Sequence, residues 1–361
     1  MDETTMNGGL ECTATELSTA REGPREELKA TVRRLTAHCA GFSGAETKHS
    51  AIQLATTTAL FLAAWAVMVA AAVRGAYWIV LLLALPAAGL AIRMFIFQHD
   101  CGHGSFWTSR RANTWTGRLL SLVTLTPYEL WRREHALHHS TSGNLNRRGV
   151  GDVDLLTVRE YLALPRLRRL AYRTYRNPFI FVFVVGPAYF FFRNRLPLEL
   201  PLTVGEICRK VMPHNLALVV LYGSLIALIG AKPFLIATLA FMLPAYWAGI
   251  WLFFIQHQYE EACWYEGGKW DLHAAALLGS SYYVLHPVLR WFTGSIGLHH
   301  AHHLCPKVPN YKLQRCVDAS PELSAMNRLT LGESLTCGTL ALWDEDARKL
   351  IRFSDLKHPV H

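Results

Sequence analysis

Four long apolar runs dominate the hydropathy pattern of the chain. "AIQLATTTALFLAAWAVMVAAAV" (51–73) carries no charged residue. At ~1.5 Å per helical residue it is long enough for a ~30 Å hydrocarbon core. "AYWIVLLLALPAAGLAIRMFIFQ" (76–98) has one charge, Arg93, close enough to its end to snorkel. "HNLALVVLYGSLIALIG" (214–230) and "PFLIATLAFMLPAYWAGIWLFFI" (233–255) form a second pair. Each pair is joined by a very short turn, which predicts two transmembrane hairpins. "FIFVFVVGPAYFFF" (179–192) is also apolar, but as a helix it reaches only ~21 Å, and a Gly-Pro pair interrupts it. It is expected to be interfacial or re-entrant, and "GRLLSLVTLTPY" (117–128) to lie on or dip into the interface. Residues 1–50 are polar with mixed charge and have no cleavable signal peptide, so they read as a cytosolic tail, helical or disordered. The expected fold is an all-α integral membrane protein: one domain over 51–361, four transmembrane helices as two hairpins, and a cytosolic, histidine-rich helical cap.

Charge fixes the expected orientation. The net charge is +9, and residues 104–178, between the two hairpins, hold 13 arginines against five acids. By the positive-inside rule this stretch is cytoplasmic. Parity then puts everything after residue 255 on the same side. The arginines suit anionic headgroups and also an acidic electron carrier; a patch pressed against a bilayer does not suit nucleic acid. The eight cysteines are scattered without a CxxC, which argues for reduced thiols, with Cys101 as packing.

Histidine adds the chemistry. Of 17 histidines, nine fall in "HDCGH", "HALHH" and "GLHHAHH". Helical residues at i, i+3 and i+4 share a face, so His99 and His103 pair, while His135, His138 and His139 form a stripe, as do His299, His302 and His303. His300 points off to the side. Parity puts all three clusters on one side of the membrane. Eight imidazoles exceed the roughly four ligands of one structural ion, and two metals sharing a site fit the count. His257 follows the fourth run at the depth where His99 follows the second, which makes it the ninth candidate ligand. All-imidazole coordination suits iron and disfavours magnesium or calcium. No HExxH is present, since Glu134 precedes His135. Iron, dioxygen and a lipid surface together point to oxidation of an unactivated C–H bond.

The order HxxxH, HxxHH, HxxHH around two hairpins resembles the membrane fatty acid desaturases. "LTPYELWRREHALHHSTSGNLNRRGVGDVD" and "WFTGSIGLHHAHHLCPKVPNYKL" are similar to the bacterial omega-6 (delta-12) acyl branch, and the likeness runs over about residues 50–355. It implies a non-haem di-iron centre with dioxygen as co-substrate. The matching ligands are His99, His103, His135, His138, His139, His299, His302 and His303, with His257 as the extra one. It also implies a fatty acyl lipid or acyl thioester substrate, a cis double bond at delta-12 of oleoyl groups, and a bacterial inner membrane. "GVGDVD" is a broken GxGxxG with no strand before it, and no His-Pro-Gly-Gly stretch is present, so electrons are expected from a separate ferredoxin-like or cytochrome b5-like carrier. Asp100, Asp152, Asp154, Glu134 and Glu260 are candidate acceptors for ligand N–H groups. The aromatics of 179–192 with Trp247, Trp251, Phe253 and Phe254 read as core or interface belt. Relatives usually carry Asn where this chain has Ser295, and "LCPKVPNY" replaces a more usual Ser-Ser. Alternatives are a related di-iron hydroxylase, acetylenase or carotenoid oxygenase, a desaturase of other regioselectivity, and, remotely, a metal transporter.

Overall fold

The structure is a computed structural model that describes residues 22–149, 151–192, 195 and 202–356. Four helices are long and apolar enough to cross a membrane: Thr47–Val73, Tyr77–His103, Met212–Ile229 and Ala231–Ile255. Their bounds follow the four apolar runs closely, with one informative exception. The second span continues past Gln98 to His103 and stops at Gly104, which is left-handed (φ 67). A glycine there closes the last turn without a Cβ clash.

The first two spans pack along each other, and the fourth lies against both. Phe61, Met68, Met94, Phe97, Phe241 and Tyr246 fill the interface, and Ala87, Ala88 and Ala91 let the backbones approach. The third span differs, for none of its residues is buried in the protein. A helix this apolar, with only partial cover from residues such as Leu218 and Tyr222, fits a lipid surround.

Arg93 departs from its sequence reading. The helix runs ten residues beyond it, and the side chain is only 8% exposed. Instead of snorkelling, the guanidinium donates to the Trp291 carbonyl, reaches Gln53 Oε1 at 3.4 Å, and lies 4.2 Å from the Trp291 ring centroid. A buried charge needs such partners, and these pin the approach to the third histidine cluster onto the span.

Residues 117–124 end the amphipathic helix Arg110–Thr124, which exposes Trp115 and Leu119 and stops at a left-handed Leu125 (φ 52). Pro178–Phe191 is a short apolar helix containing a π-turn, Phe181–Val185. It packs on the fourth span where Gly186 meets Ile250; a Cβ at Gly186 would lie 2.8 Å from Ile250 Cγ2.

Beyond the spans sits a cap of short helices with a little sheet. Leu156–Thr157 pairs in parallel with Leu340–Asp344, which pairs antiparallel with Lys349–Arg352. Tyr282–Val284 runs parallel to Arg328–Thr330. The helix Glu22–Ala40 buries Val32, Leu35 and Cys39 against Leu298, Ala301 and Leu304 of the third histidine region. Arg34 also pairs with Glu322. Residues 1–21 of the N-terminal tail lie outside the described residues, as do most of 193–201.

Candidate metal centre

Helical geometry decides how the histidines divide. Relative to residue i, position i+4 lies ~40° to one side and i+3 ~60° to the other. A triplet HxxHH therefore offers its i, i+4 pair to one centre and its i+3 member to another. The structure follows this rule twice. His135 and His139 join the pair His99 and His103, together with the single His302. His299 and His303 join the single His138, and His257 completes that group. Two groups result, of five and four imidazoles, and in each the ligand atoms lie within 4.8 Å of one another. All nine candidate residues are thus brought together.

Local structure aims each ring. The second span carries His99 and His103, and the helix Tyr128–Thr141 carries the second triplet. Tyr128 fixes that helix: its hydroxyl donates to the Cys101 carbonyl, and its ring lies against Gly117, where a Cβ would be 2.3 Å away. The third triplet occupies a six-residue helix, His299–Leu304, whose first N–H groups donate to the Ser281 carbonyl. Gly294 (φ 52) and Ser295 (φ 60) turn the chain into it. The left-handed region favours Asn over Ser, which gives a backbone reason for the residue more usual at that position. The "LCPKVPNY" stretch also has a structural use. Lys307 Nζ donates to the His103 carbonyl, and Asn310 donates through N and Nδ2 to Asp100 Oδ2 (2.9 and 2.8 Å). It clamps the third cluster onto the first.

Three of the rings are anchored through Nδ1, while Nε2 faces inward; His299 Nδ1 is buried without a hydrogen-bond partner. His99 Nδ1 is 3.3 Å from Asp100 Oδ1, His138 Nδ1 bonds Asp152 Oδ1, and His257 Nδ1 donates to the Gly279 carbonyl at 2.9 Å. Asp152 is set by Gly151 (φ 74), where a Cβ would lie 2.9 Å from the Glu134 carbonyl oxygen. On the inner side, Nε2 of His99 and of His138 are buried without a hydrogen-bond partner. The others approach each other: His103 to His135 at 2.9 Å, His302 to His139 at 3.1 Å, His299 to His257 at 3.1 Å and to His303 at 3.0 Å. Nitrogens ~3 Å apart match neighbouring ligands at right angles on metal–nitrogen bonds of ~2.1 Å. Burial pushes the imidazoles of His135, His139, His299, His302 and His303 well below their ordinary pKa, and repulsion between the rings adds to it. Burial likewise pushes His257 down to about 3. Neutral imidazoles with inward lone pairs are what a metal requires. The clusters fit a metal site.

Other candidates sort plainly. His300 is buried outside both groups, with Nε2 2.9 Å from the Leu323 carbonyl. Burial lowers it to about 4. Glu260 is exposed and paired with Lys349, away from the histidines. Glu134 and Asp154 line a cavity beside them. Cys101 is buried packing, as expected, and Cys39, Cys208, Cys305, Cys316 and Cys337 are likewise free thiols; Cys263 departs from the expectation of reduced thiols, being disulfide-bonded, and Cys12 lies outside the described residues.

The cavity, about 350 Å³, runs from His99, His135 and His299 down between the second and fourth spans. Its lining is apolar apart from a few groups. Phe181, Tyr189, Phe190 and Phe253, expected from sequence as core or belt, all line it. The available signal was the spacing of Phe181, Val185 and Tyr189, an i, i+4, i+8 stripe on one helical face.

A family model described as fatty acid desaturase matches residues 75–334. The chain belongs to the fatty acid desaturase family. A fatty acid desaturase of Bacillus subtilis is 39% identical over 327 residues, covering 90% of this chain and 92% of the relative. An sn-1 acyl-lipid omega-3 desaturase (ferredoxin) of Synechocystis is 29% identical over 238 residues, 63% of each chain. An sn-2 acyl-lipid omega-3 desaturase (ferredoxin), chloroplastic, of Helianthus annuus is 25% identical over 269 residues, 70% of this chain and 58% of its own. This enzyme is accordingly a fatty acyl desaturase, with helices suited to a membrane and a histidine-rich metal site at their ends.

Proposed function

We propose that this enzyme is a dioxygen-dependent di-iron desaturase that introduces a cis double bond at the delta-12 (omega-6) position of oleoyl groups. The observation that carries the reading is the pair of histidine groups, five and four strong, opening directly onto an apolar cavity. One iron would be held by His99, His103, His135, His139 and His302, the other by His138, His257, His299 and His303. Such a pair supplies dioxygen activation and the removal of two hydrogens from the acyl chain. The protein's own part is to hold and to exclude. Asp100, Asp152 and the Gly279 carbonyl keep the Nδ1 protons in place, so that each ring presents Nε2. The apolar walls keep water from the reacting carbons.

Delta-12 selectivity is supported by the stretches flanking the second and third histidine clusters. The relatives named as omega-3 desaturases favour a second reading, an omega-3 double bond added to linoleoyl chains. Expression in a host supplied in turn with oleate and linoleate, with double bonds located by mass spectrometry, separates the two. New delta-12 bonds from oleate are expected; new bonds from linoleate alone would establish the second reading, and hydroxylated products would overturn both.

The histidines face the cytosol of a bacterial inner membrane. His99, His103 and His257 sit at the C-terminal ends of the second and fourth spans, which therefore point the same way. Electrons come from an acidic carrier, ferredoxin-like or cytochrome b5-like. Its docking face uses arginines such as Arg147, which is exposed; Arg148 is committed to Glu160 and the Leu145 carbonyl. Arg147→Glu should slow ferredoxin-driven turnover more at low than at high ionic strength. Loss independent of salt would remove Arg147 from the docking face.

A further inference from the structure

The fourth span forms one wall of the cavity, and its contribution changes along its length. Beside the histidines it offers Leu252, Phe253 and Gln256; below them comes Gly249, and deeper still Ala245, Met242 and Phe241. Gly249 lies ~12 Å along the helix from His257 and ~12 Å from Phe241. It marks the midpoint.

Glycine inside a helix is unfavourable relative to alanine, so its presence asks for a reason. Close packing is one reason, and Gly186 against Ile250 illustrates it. Gly249 is the opposite case: it lines the cavity, and a Cβ there would meet nothing within 4 Å. The space is left for an occupant, not for a neighbouring side chain. Gly223 on the third span also meets nothing within 4 Å, but it does not line this cavity and so serves as a control.

We propose that Gly249 determines which acyl chain lengths the enzyme accepts, by leaving open the passage from the histidines to the deep half of the cavity. The inference rests on reading the cavity as the acyl channel. The polar end, with Asp152 and Asp154, lies at the cap, whereas the deep end at Phe241 and Met242 is apolar. The methyl-terminal arm of the substrate therefore passes Gly249. Ala245 is on the same helical face one turn deeper and bounds the next stretch. A larger side chain at 249 shortens the channel close to the histidines; the same change at 245 shortens it lower down.

The test uses iron-loaded enzyme with its electron donor, in wild-type form and as Gly249→Leu, Ala245→Leu and Gly223→Leu. Each is given a mixture of acyl chains that differ only in the length of the methyl-terminal arm, and iron content and the ratio of products are read. Gly249→Leu should keep its iron and lose about tenfold or more in preference for long over short arms. Ala245→Leu should show the same loss only for the longest arms, and Gly223→Leu should match the wild type. Should Gly249→Leu accumulate poorly, Gly249→Ala with Ala245→Leu still gives the graded order. An unchanged product ratio, or an equal decline for every arm length, overturns the proposal while the desaturase reading stands. A wild-type enzyme that desaturates none of the chains would overturn the reading itself.

Discussion

The two histidine groups are built from the same kind of helix but differ in redundancy. The five-membered group draws on two i, i+4 pairs and leaves His103, His135 and His139 half-buried near the surface. The four-membered group has one such pair, His299 and His303, and completes itself with two single residues, His138 and His257. Each single is held from behind by one anchor, Asp152 or the Gly279 carbonyl. A group with a spare ligand tolerates damage, and a group without one does not. The four-membered group is therefore where small changes are expected to be most costly.

The largest expected effect tests this asymmetry directly. His257→Ala leaves three imidazoles in its group, below the usual four. It should lose about one iron and more turnover than the ~10–100-fold typical of losing an outer partner. His139→Ala leaves four in the other group and should retain more iron. Two irons and near-normal turnover in His257→Ala, measured by metal analysis and product formation, would make the two groups equivalent and His257 an interface residue.

Asp152→Asn comes next. Its Oδ1 holds His138 Nδ1, and an amide oxygen there accepts from that nitrogen without the carboxylate charge that strengthens the bond. Turnover should fall ~10–100-fold with the fold retained. Asp100→Asn should act more on stability, because Asp100 also receives both donors of Asn310 and so docks the helix Asn310–Asp318. Equal kinetic losses in the two variants would erase the distinction between the groups.

Acid should reach both groups through the same linkage. Burial lowers the folded pKa values of His135, His139, His257, His299, His302 and His303. At about pH 8, well above the ordinary histidine pKa of about 6.5, these rings are neutral in the folded and unfolded chain alike. As pH falls below that, the unfolded chain takes up protons first, so stability is lost progressively toward the folded values. Metal-free enzyme in detergent should melt at lower temperature as pH drops from about 8 to about 5, and His257→Ala should flatten the slope. A melting temperature independent of pH would contradict the burial of these rings.

Two small effects complete the series. His300→Gln should keep both irons, since His300 faces the Leu323 carbonyl and not a group; iron loss like that of His257→Ala would add it to the site. Ser295→Asn should raise stability by some tenths of a kcal/mol, about 1 at most, by relaxing the left-handed turn before the third triplet. Denaturant or thermal unfolding reads this, and an unchanged midpoint would place no strain at Ser295.

What sequence alone determined was periodic. Apolar runs of sufficient length must find a non-aqueous surround, which fixed the four spans, and a 3.6-residue repeat puts i, i+3 and i+4 on one face, which fixed the stripes of histidines and left His300 out. His257 was legible from its depth after the fourth span. Long-range contacts carried the rest. The division of nine rings into five and four depends on how three helices converge. The anchors Asp100 and Asp152 could not be separated from Glu260 by composition, because all are acids near histidines or arginines in sequence. The burial of Arg93 is not legible in sequence, because the end of its helix is set by Gly104 and its partners Gln53 and Trp291 come from distant segments. The cavity was invisible for the same reason: an empty space has no residue of its own, and only packing shows that Gly249 borders a void while Gly186 borders Ile250.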